Sequence, residues 1–272
     1  MLRAVTNIYT YRELIVTLAL TDIATRYKQA YLGVVWAILK PLALMLIFTL
    51  VRSFVGIDTG DIPYPVMVFA ALMPWIFFQE SASQGVNSVV AKAALIRKIY
   101  FPREVLPLVA MSTKLVELGI SVVILVGLMA WYRIAPTATI WWAPLIISYA
   151  MIATLVVSLF GSAVNVYYRD MGQALPVMLS LFMYASPVIY PLALVKEKLL
   201  EQQAAGEWSN IFYTIYTLNP LAGIIDSFQG CLLRNEVPDI SVILPGLLVT
   251  LILLPLSYLY FKRAEAYFAD VI

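Results

Sequence analysis

Three ionisable side chains stand inside otherwise apolar stretches of the chain: Glu80, Lys114 and Glu117. Lys114 and Glu117 are three residues apart, which puts them on one helical face. Charge at membrane depth is costly and marks either a pairing partner or an ion pathway. Pairing of Lys114 with Glu80 or Glu117 would hold helices in register, whereas a proton relay would pass protons between the carboxylates. The chain has no histidine, and no further acid stands near these three, so pairing is favoured over relay. Cys231 is the single cysteine and allows neither an intrachain disulfide nor a cysteine metal site. A membrane-embedded enzyme such as a glycan transferase fits poorly, because no acid pair clusters at a membrane face. Nor does any Gly-x-x-x-x-Gly-Lys phosphate loop occur.

Aromatic residues form a second group, with 17 Tyr, 12 Phe and 6 Trp. Trp131, Trp141 and Trp142 fit an interfacial belt. Tyr31 and Trp36 precede or open the first apolar stretch, Trp75, Phe77 and Phe78 precede the polar run 79–88, and Tyr184 and Tyr190 lie in a proline-flanked stretch. Ring faces with a polar rim suit a sliding amphipathic polymer such as a glycan. Any one of these rings serves equally well as core or belt. A third group is Ala94–Glu104, a short basic-aromatic helix ended by Pro102. Its Leu95, Ile96, Ile99, Tyr100 and Phe101 exceed what a wet loop needs and suggest docking into a partner's groove.

The elements that must position these groups follow from composition. The 272 residues are 62% hydrophobic and only 12% charged, with mean hydropathy +0.88. So little polar surface cannot cover a soluble fold. An all-α integral membrane protein is expected, and a soluble enzyme or nucleic-acid binder is excluded. A hydrocarbon core of about 30 Å takes roughly 20 apolar residues per helix. Six spans result: Val34–Val55, Pro65–Val89, Val105–Trp131, Trp141–Tyr167, Leu175–Tyr190 and Ile240–Phe261. The fifth is short and carries Pro176 and Pro187, so neighbours must shield it. The polar half of the second, Gln79 to Ser88, must face protein or a wet path. Ala150, Thr154, Ser158 and Ser162 recur every four residues on the fourth and form a close-packing seam, within the chain or between copies. Lys40 is expected to snorkel toward headgroups.

Residues 1–272 form one membrane domain: an interfacial helix within 1–30, spans one to five over 31–190, a polar connection over 191–239, and the last span with its tail over 240–272. The start of the chain does not resemble a signal peptide. With the N-terminus inside, the inner segments hold most of the Lys and Arg, including Arg12, Arg26, Lys28, Lys92, Arg97, Lys98, Arg103 and Arg169. The outer ones hold only Arg133, Lys196, Lys198 and Arg234. The positive-inside rule then places both termini in the cytoplasm. Tyr11, Leu14, Ile15 and Leu18 make one stripe of an amphipathic helix lying on the cytoplasmic face. Within 191–239, Asn219-Pro220 separates two apolar stretches, 211–218 and 221–233, expected as a re-entrant extracytoplasmic helix pair.

Several stretches together resemble the permease subunit of ABC-2 type exporters of polysaccharide and O-antigen. They are Arg26-Tyr27-Lys28-Gln29-Ala30-Tyr31-Leu32-Gly33 running on to Leu42, Phe101-Pro102-Arg103-Glu104, Asn165-Val166-Tyr167-Tyr168-Arg169-Asp170, Ser186-Pro187-Val188-Ile189-Tyr190-Pro191 and Leu218-Asn219-Pro220-Leu221. Lys40 departs from the family pattern, which has a neutral residue before the proline. The resemblance implies a homodimer in the bacterial inner membrane, paired with two copies of a separate ATP-binding subunit. ATP and magnesium would belong to that subunit; this chain would hold no cofactor and no catalytic residue. The substrate implied is a polyprenyl-linked glycan, received near Tyr27, Tyr31 and Trp36 and led past Trp75, Phe77, Phe78, Tyr184 and Tyr190. Arg26, Lys28, Arg97 and Lys98 would hold its pyrophosphate, with plain positive-inside charge as the competing account. Ile96, Ile99, Tyr100, Phe101, Pro102 and Arg103 would contact the ATPase, and 191–234 would form an extracytoplasmic gate. The alternative is an ion-coupled transporter or channel using Glu80, Lys114 and Glu117, which would show internal repeats; none is visible.

Overall fold

The computed structural model describes residues 10–28, 33–56, 62–204 and 209–271. Among them the chain is helical, with no strand. In order come α1 (Arg12–Lys28), α2 (Gly33–Val55), α3 (Tyr64–Ala91), α4 (Ala93–Ile96), α5 (Val105–Trp131) and a 3₁₀ turn (Ala138–Trp142). There follow α6 (Ala143–Tyr167), α7 (Met171–Phe182), α8 (Leu192–Ala204), α9 (Ser209–Thr217) and α10 (Pro220–Gln229). A π-helical turn (Gly230–Arg234), α11 (Ile240–Glu265) and α12 (Phe268–Val271) complete the chain. Among the described residues five helices, all but α7 of the expected spans, are long and apolar enough to cross a membrane.

α3 is the axis of the domain. Pro65 sits in its first turn, where a missing N–H costs nothing. The helix then runs unbroken through Pro74 and the polar run to Ala91, 28 residues in all, or about 42 Å. It packs against α2, α5, α6, α7 and α10, so the polar half faces protein, as its composition requires. The small-residue stripe of α6 meets it. Ala150, Thr154, Ser158 and Ser162 are all buried. A Cβ on Gly85 would collide with the Ser158 side chain, and one on Gly161 with Val86. The seam therefore lies inside the chain.

Two apolar clusters result. The larger surrounds α3, with Phe69, Leu72, Trp75, Ile224 and Ile225 fully enclosed. The smaller sits at the end where α3 finishes and joins Val89, Phe101, Val166, Phe261 and Phe268. Tyr11, Leu14, Ile15 and Leu18 of the N-terminal stripe pack on this second cluster, while Val16 and Leu20 are exposed.

The expected fifth span, Leu175–Tyr190, has a different form. α7 starts earlier, at Met171, and its 12 residues end at Phe182, a rise of about 18 Å against the roughly 30 Å of a bilayer core. Pro187 has no N–H and disfavours helical geometry at Ser186. Upstream of it the hydrogen bonds tighten to three-residue turns, Tyr184 N to Leu181 O, Ala185 N to Phe182 O and Ser186 N to Met183 O. Tyr64 Oη donates to Ile189 O at 2.8 Å and Tyr190 Oη to Tyr184 O at 3.0 Å, which anchors this turn region.

Beyond it, the expected helix break is present. Asn219 caps α10 by accepting from Leu221 N at 3.0 Å, and Pro220 takes the first helical position. Asn219 Nδ2 also donates to Ser186 Oγ at 3.0 Å. α10 is buried on nearly every side.

Candidate functional site

Glu80, Lys114 and Glu117 form one connected cluster with Lys40. Lys114 donates to Glu80 Oε2 and to both oxygens of Glu117, at 2.8 Å each for the latter. Lys40 donates to Glu80 Oε1 at 2.6 Å. Both expected pairs thus exist together. Lys40 does not extend away toward headgroups, because a carboxylate lies within reach across the α2–α3 contact. Two cations and two anions balance, and Lys114 is only 5% exposed. The arrangement satisfies buried charge and fastens α2, α3 and α5 to one another.

Next to Glu80 on α3, Gln79 Nε2 donates to Ser180 Oγ of α7 at 3.0 Å. Nearer the basic end, a second polar latch holds the start of α7. Asn165 Oδ1 accepts from Gly172 N at 2.7 Å, while its amide donates to Val86 O and Asn87 Oδ1, each at 3.2 Å. Asn87 Nδ2 reaches Gly172 O at 3.3 Å.

The aromatic group divides. Trp75, Phe77 and Phe78 are enclosed, and Trp75 lies 6.3 Å from the rings of both Phe78 and Phe182. Phe182, half-exposed, is the ring that links this cluster to the surface, and sequence reasoning passed it over. Trp36 and Tyr184 are exposed, and Tyr190 is half-buried against the turn that follows α7. Among the described residues, these rings are therefore split between the interior and the surface. The side chains of Arg26, Tyr27 and Lys28, and the whole of Tyr31, lie outside the described residues.

The basic-aromatic segment also divides. Phe101 and Ile96 are buried in the smaller cluster, while Ile99 is exposed and Tyr100 is 92% exposed. Arg97 and Lys98 are exposed as well. Arg103 N donates to Glu265 Oε1 at 2.9 Å, and its guanidinium donates to the Glu265 carbonyl. Lys262 Nζ bridges Glu104 at 2.5 Å and Glu265 at 2.7 Å. Phe101-Pro102-Arg103-Glu104 is therefore clamped to the end of α11, and Pro102 is half-buried between the clamp and the exposed turn. Beside it a cavity of about 730 Å³ opens between α1, α3 and α5, with the Lys92–Asp22 pair, 2.5 Å apart, on its lining.

At the opposite end, α8, α9, α10 and the start of α3 surround a cavity of about 600 Å³ with a mixed polar and apolar lining. Asp239, on its rim, accepts from Ser241 N at 2.9 Å and Ser241 Oγ at 2.7 Å and so caps α11. These bonds hold its carboxyl below the ordinary range.

Comparison with known proteins places the chain. The model of the ABC-2 type transporter family matches residues 13–233. An O-antigen export system permease protein RfbA from Myxococcus xanthus is 27% identical over 273 residues, covering all of both chains. One of the same name from Klebsiella pneumoniae is 27% identical over 265 residues, 96% of this chain and 95% of the other. The polysialic acid transport protein KpsM of Escherichia coli is 23% identical over 226 residues, 82% of each. With a family match across most of its length and relatives alike from end to end, this chain belongs to the ABC-2 type transporter family.

Proposed function

We propose that this chain is the permease subunit of an ATP-driven exporter that moves a lipid-linked polysaccharide across the bacterial inner membrane. The end-to-end likeness to proteins named for O-antigen export carries this reading. The lack of a phosphate loop in the sequence fits a motor in a separate subunit, where ATP and magnesium would be held. The self-neutralised Lys40–Glu80–Lys114–Glu117 cluster supports a structural role for these charges over ion coupling.

In this reading the end bearing α1, Arg97, Lys98 and Arg103 is cytoplasmic, along with both termini, by the distribution of basic residues. α7 and the turns to Tyr190 complete a sixth crossing, shielded by α3 and α6. α9 and α10 form a re-entrant pair on the extracytoplasmic side, gating the exit. Two copies meet along the exposed apolar faces of α2 and α7, where Leu46, Leu50, Val177 and Leu181 lack cover within one chain. The glycan passes between them, with Trp36, Phe182 and Tyr184 on the path and the enclosed Trp75, Phe77 and Phe78 supporting it. Arg26, Lys28, Arg97 and Lys98 receive the pyrophosphate. Ile99 and Tyr100 reach the ATPase, and Ile96, Phe101, Pro102 and Arg103 hold that contact to α11.

Co-expression with the cognate ATP-binding subunit tests the proposal. The two subunits are expected to co-purify as a two-plus-two complex that hydrolyses ATP. Failure to associate would overturn it.

A further inference from the structure

A groove of about 580 Å³ opens on the flank of two membrane-crossing helices, α5 and α6. Val126 and Met129 of α5, Ile134 of the connection, Ile147 of α6, and Phe228 and Leu232 from α10 and the π-helical turn converge on it. The rest of its wall is apolar too, so the surface is almost wholly carbon. Such a lining offers a polar ligand almost no hydrogen bond and suits a hydrocarbon.

The borders of the groove fix its depth. Trp131 ends α5, Trp141 of the 3₁₀ turn lies on the lining, and both rings are 82% exposed. Indole rings so exposed at the ends of crossing helices sit at the headgroup level of a bilayer. On α5 the lining runs from Val122 to Ala130, about 12 Å along the axis, which is within one leaflet's share of a hydrocarbon core of roughly 30 Å. Val122, Val126 and Leu145 around it are exposed, so the groove opens sideways toward acyl chains. Arg133 follows two residues after Trp131, exposed and in the left-handed region at φ 58°. It stands outside the groove, directly before Ile134 of the lining. Among the described residues its side chain has no hydrogen-bond or ion-pair partner. An apolar groove thus lies next to an unpaired cation at headgroup level.

We infer that this groove holds one acyl chain of an anionic phospholipid, from the leaflet at the end opposite the basic loops, with the phosphate at Arg133. Bulk lipid tails are as apolar as the lining, so escape from water does not favour the bound chain. Contact does: the walls come from four segments of the protein, and leaving the gap empty forfeits their dispersion attraction. Arg133 adds attraction for a negative headgroup. The groove is built on α5 and α6, not on the α2 and α7 faces assigned above to a second copy, so lipid rather than the partner chain covers it. The bound chain fills the gap among α5, α6 and α10 and becomes a structural part of that end of the domain. None of this depends on what the permease carries.

The test uses the full-length permease, purified in mild detergent and washed free of loosely held lipid. Phosphatidylglycerol or phosphatidylcholine is added back and counted by native mass spectrometry. Ala130→Phe, at an exposed position of the lining, fills the groove. Wild type is expected to retain one phospholipid per chain that Ala130→Phe does not. It is also expected to prefer phosphatidylglycerol about fivefold, the worth of one cation at a charged headgroup. Arg133→Gln keeps the groove and is expected to lose that preference; it carries the test if Ala130→Phe fails to fold. Equal retention by wild type and Ala130→Phe, or equal preference in wild type and Arg133→Gln, overturns the site. Displacement of the phospholipid by an equal concentration of polyprenyl phosphate overturns it in favour of an isoprenoid chain. A dimer that dissociates in Ala130→Phe overturns it in favour of a second copy.

Discussion

Lys40 Nζ lies 2.6 Å from Glu80 Oε1 and ties α2, the span least covered by its own chain, to α3, the most covered. Glu80 also accepts from Lys114, so one carboxylate joins three helices. Lys114→Met leaves Glu80 and Glu117 short of a cation and is expected to cost about 3 kcal/mol. Pairing it with Glu80→Gln should recover part of that loss, since the two residues form one interaction. Thermal unfolding of the single and double variants in detergent gives the coupling. Additive losses would mean that the two groups do not act as a pair.

The α3–α6 seam predicts a sharp size limit. Gly161→Ala drives a methyl into Val86, and Gly85→Ala drives one into Ser158. Each is expected to destabilise by about 1–3 kcal/mol through overpacking. Gly119→Ala serves as the control, because a Cβ there meets nothing within 4 Å. Unfolding temperatures of the three variants check the contrast.

Tyr100 and Phe101 are adjacent aromatics with opposite fates. Phe101→Asp buries a charge in the smaller cluster and is expected to abolish folded expression. Tyr100→Asp alters only surface and is expected to leave folding intact while weakening association with the ATP-binding subunit. Size-exclusion profiles and pull-down yields separate the two outcomes; normal association of Tyr100→Asp would remove Tyr100 from the coupling surface.

Asp239 caps α11 with both the backbone and the side chain of Ser241. Asp239→Ala is expected to cost about 1 kcal/mol at neutral pH. The folded-state carboxyl titrates below its ordinary value, so the stabilisation is complete above the unfolded-state value and fades as pH falls through the folded-state one. Wild type and variant should therefore converge in stability in acid. A constant gap across pH would contradict the assignment of the charge to the cap.

What the sequence made legible is what local chemistry decides. The break at Asn219-Pro220 was readable because an amide that caps and a proline that cannot donate leave one outcome. That the polar half of the second span faces away from lipid was readable from Gln79 to Ser88, which lipid cannot solvate. Length and hydropathy register the greasiness of Leu175–Tyr190 but not the turns that follow α7 ahead of Pro187. Nothing near Lys40 in sequence points to its partner Glu80, which stands forty residues away. Tyr100 and Phe101 look alike in sequence; the clamp of Arg103 and Glu104 on Lys262 and Glu265 separates them. The cavity among α8, α9 and α10 had a faint signal, Asp226 and Arg234 in an otherwise apolar region, but distant segments were needed to assemble it.

The central claim is that this chain is half of a conduit driven by a motor in another subunit. It is tested most directly by glycan export in cells lacking the endogenous permease and carrying this one, with an active or a hydrolysis-dead ATP-binding subunit. Surface polysaccharide is expected only with the active subunit, and an ionophore that collapses the proton gradient should leave the first round of export intact. Export that survives the dead subunit, or that stops at once with the ionophore while ATP remains, would contradict the account.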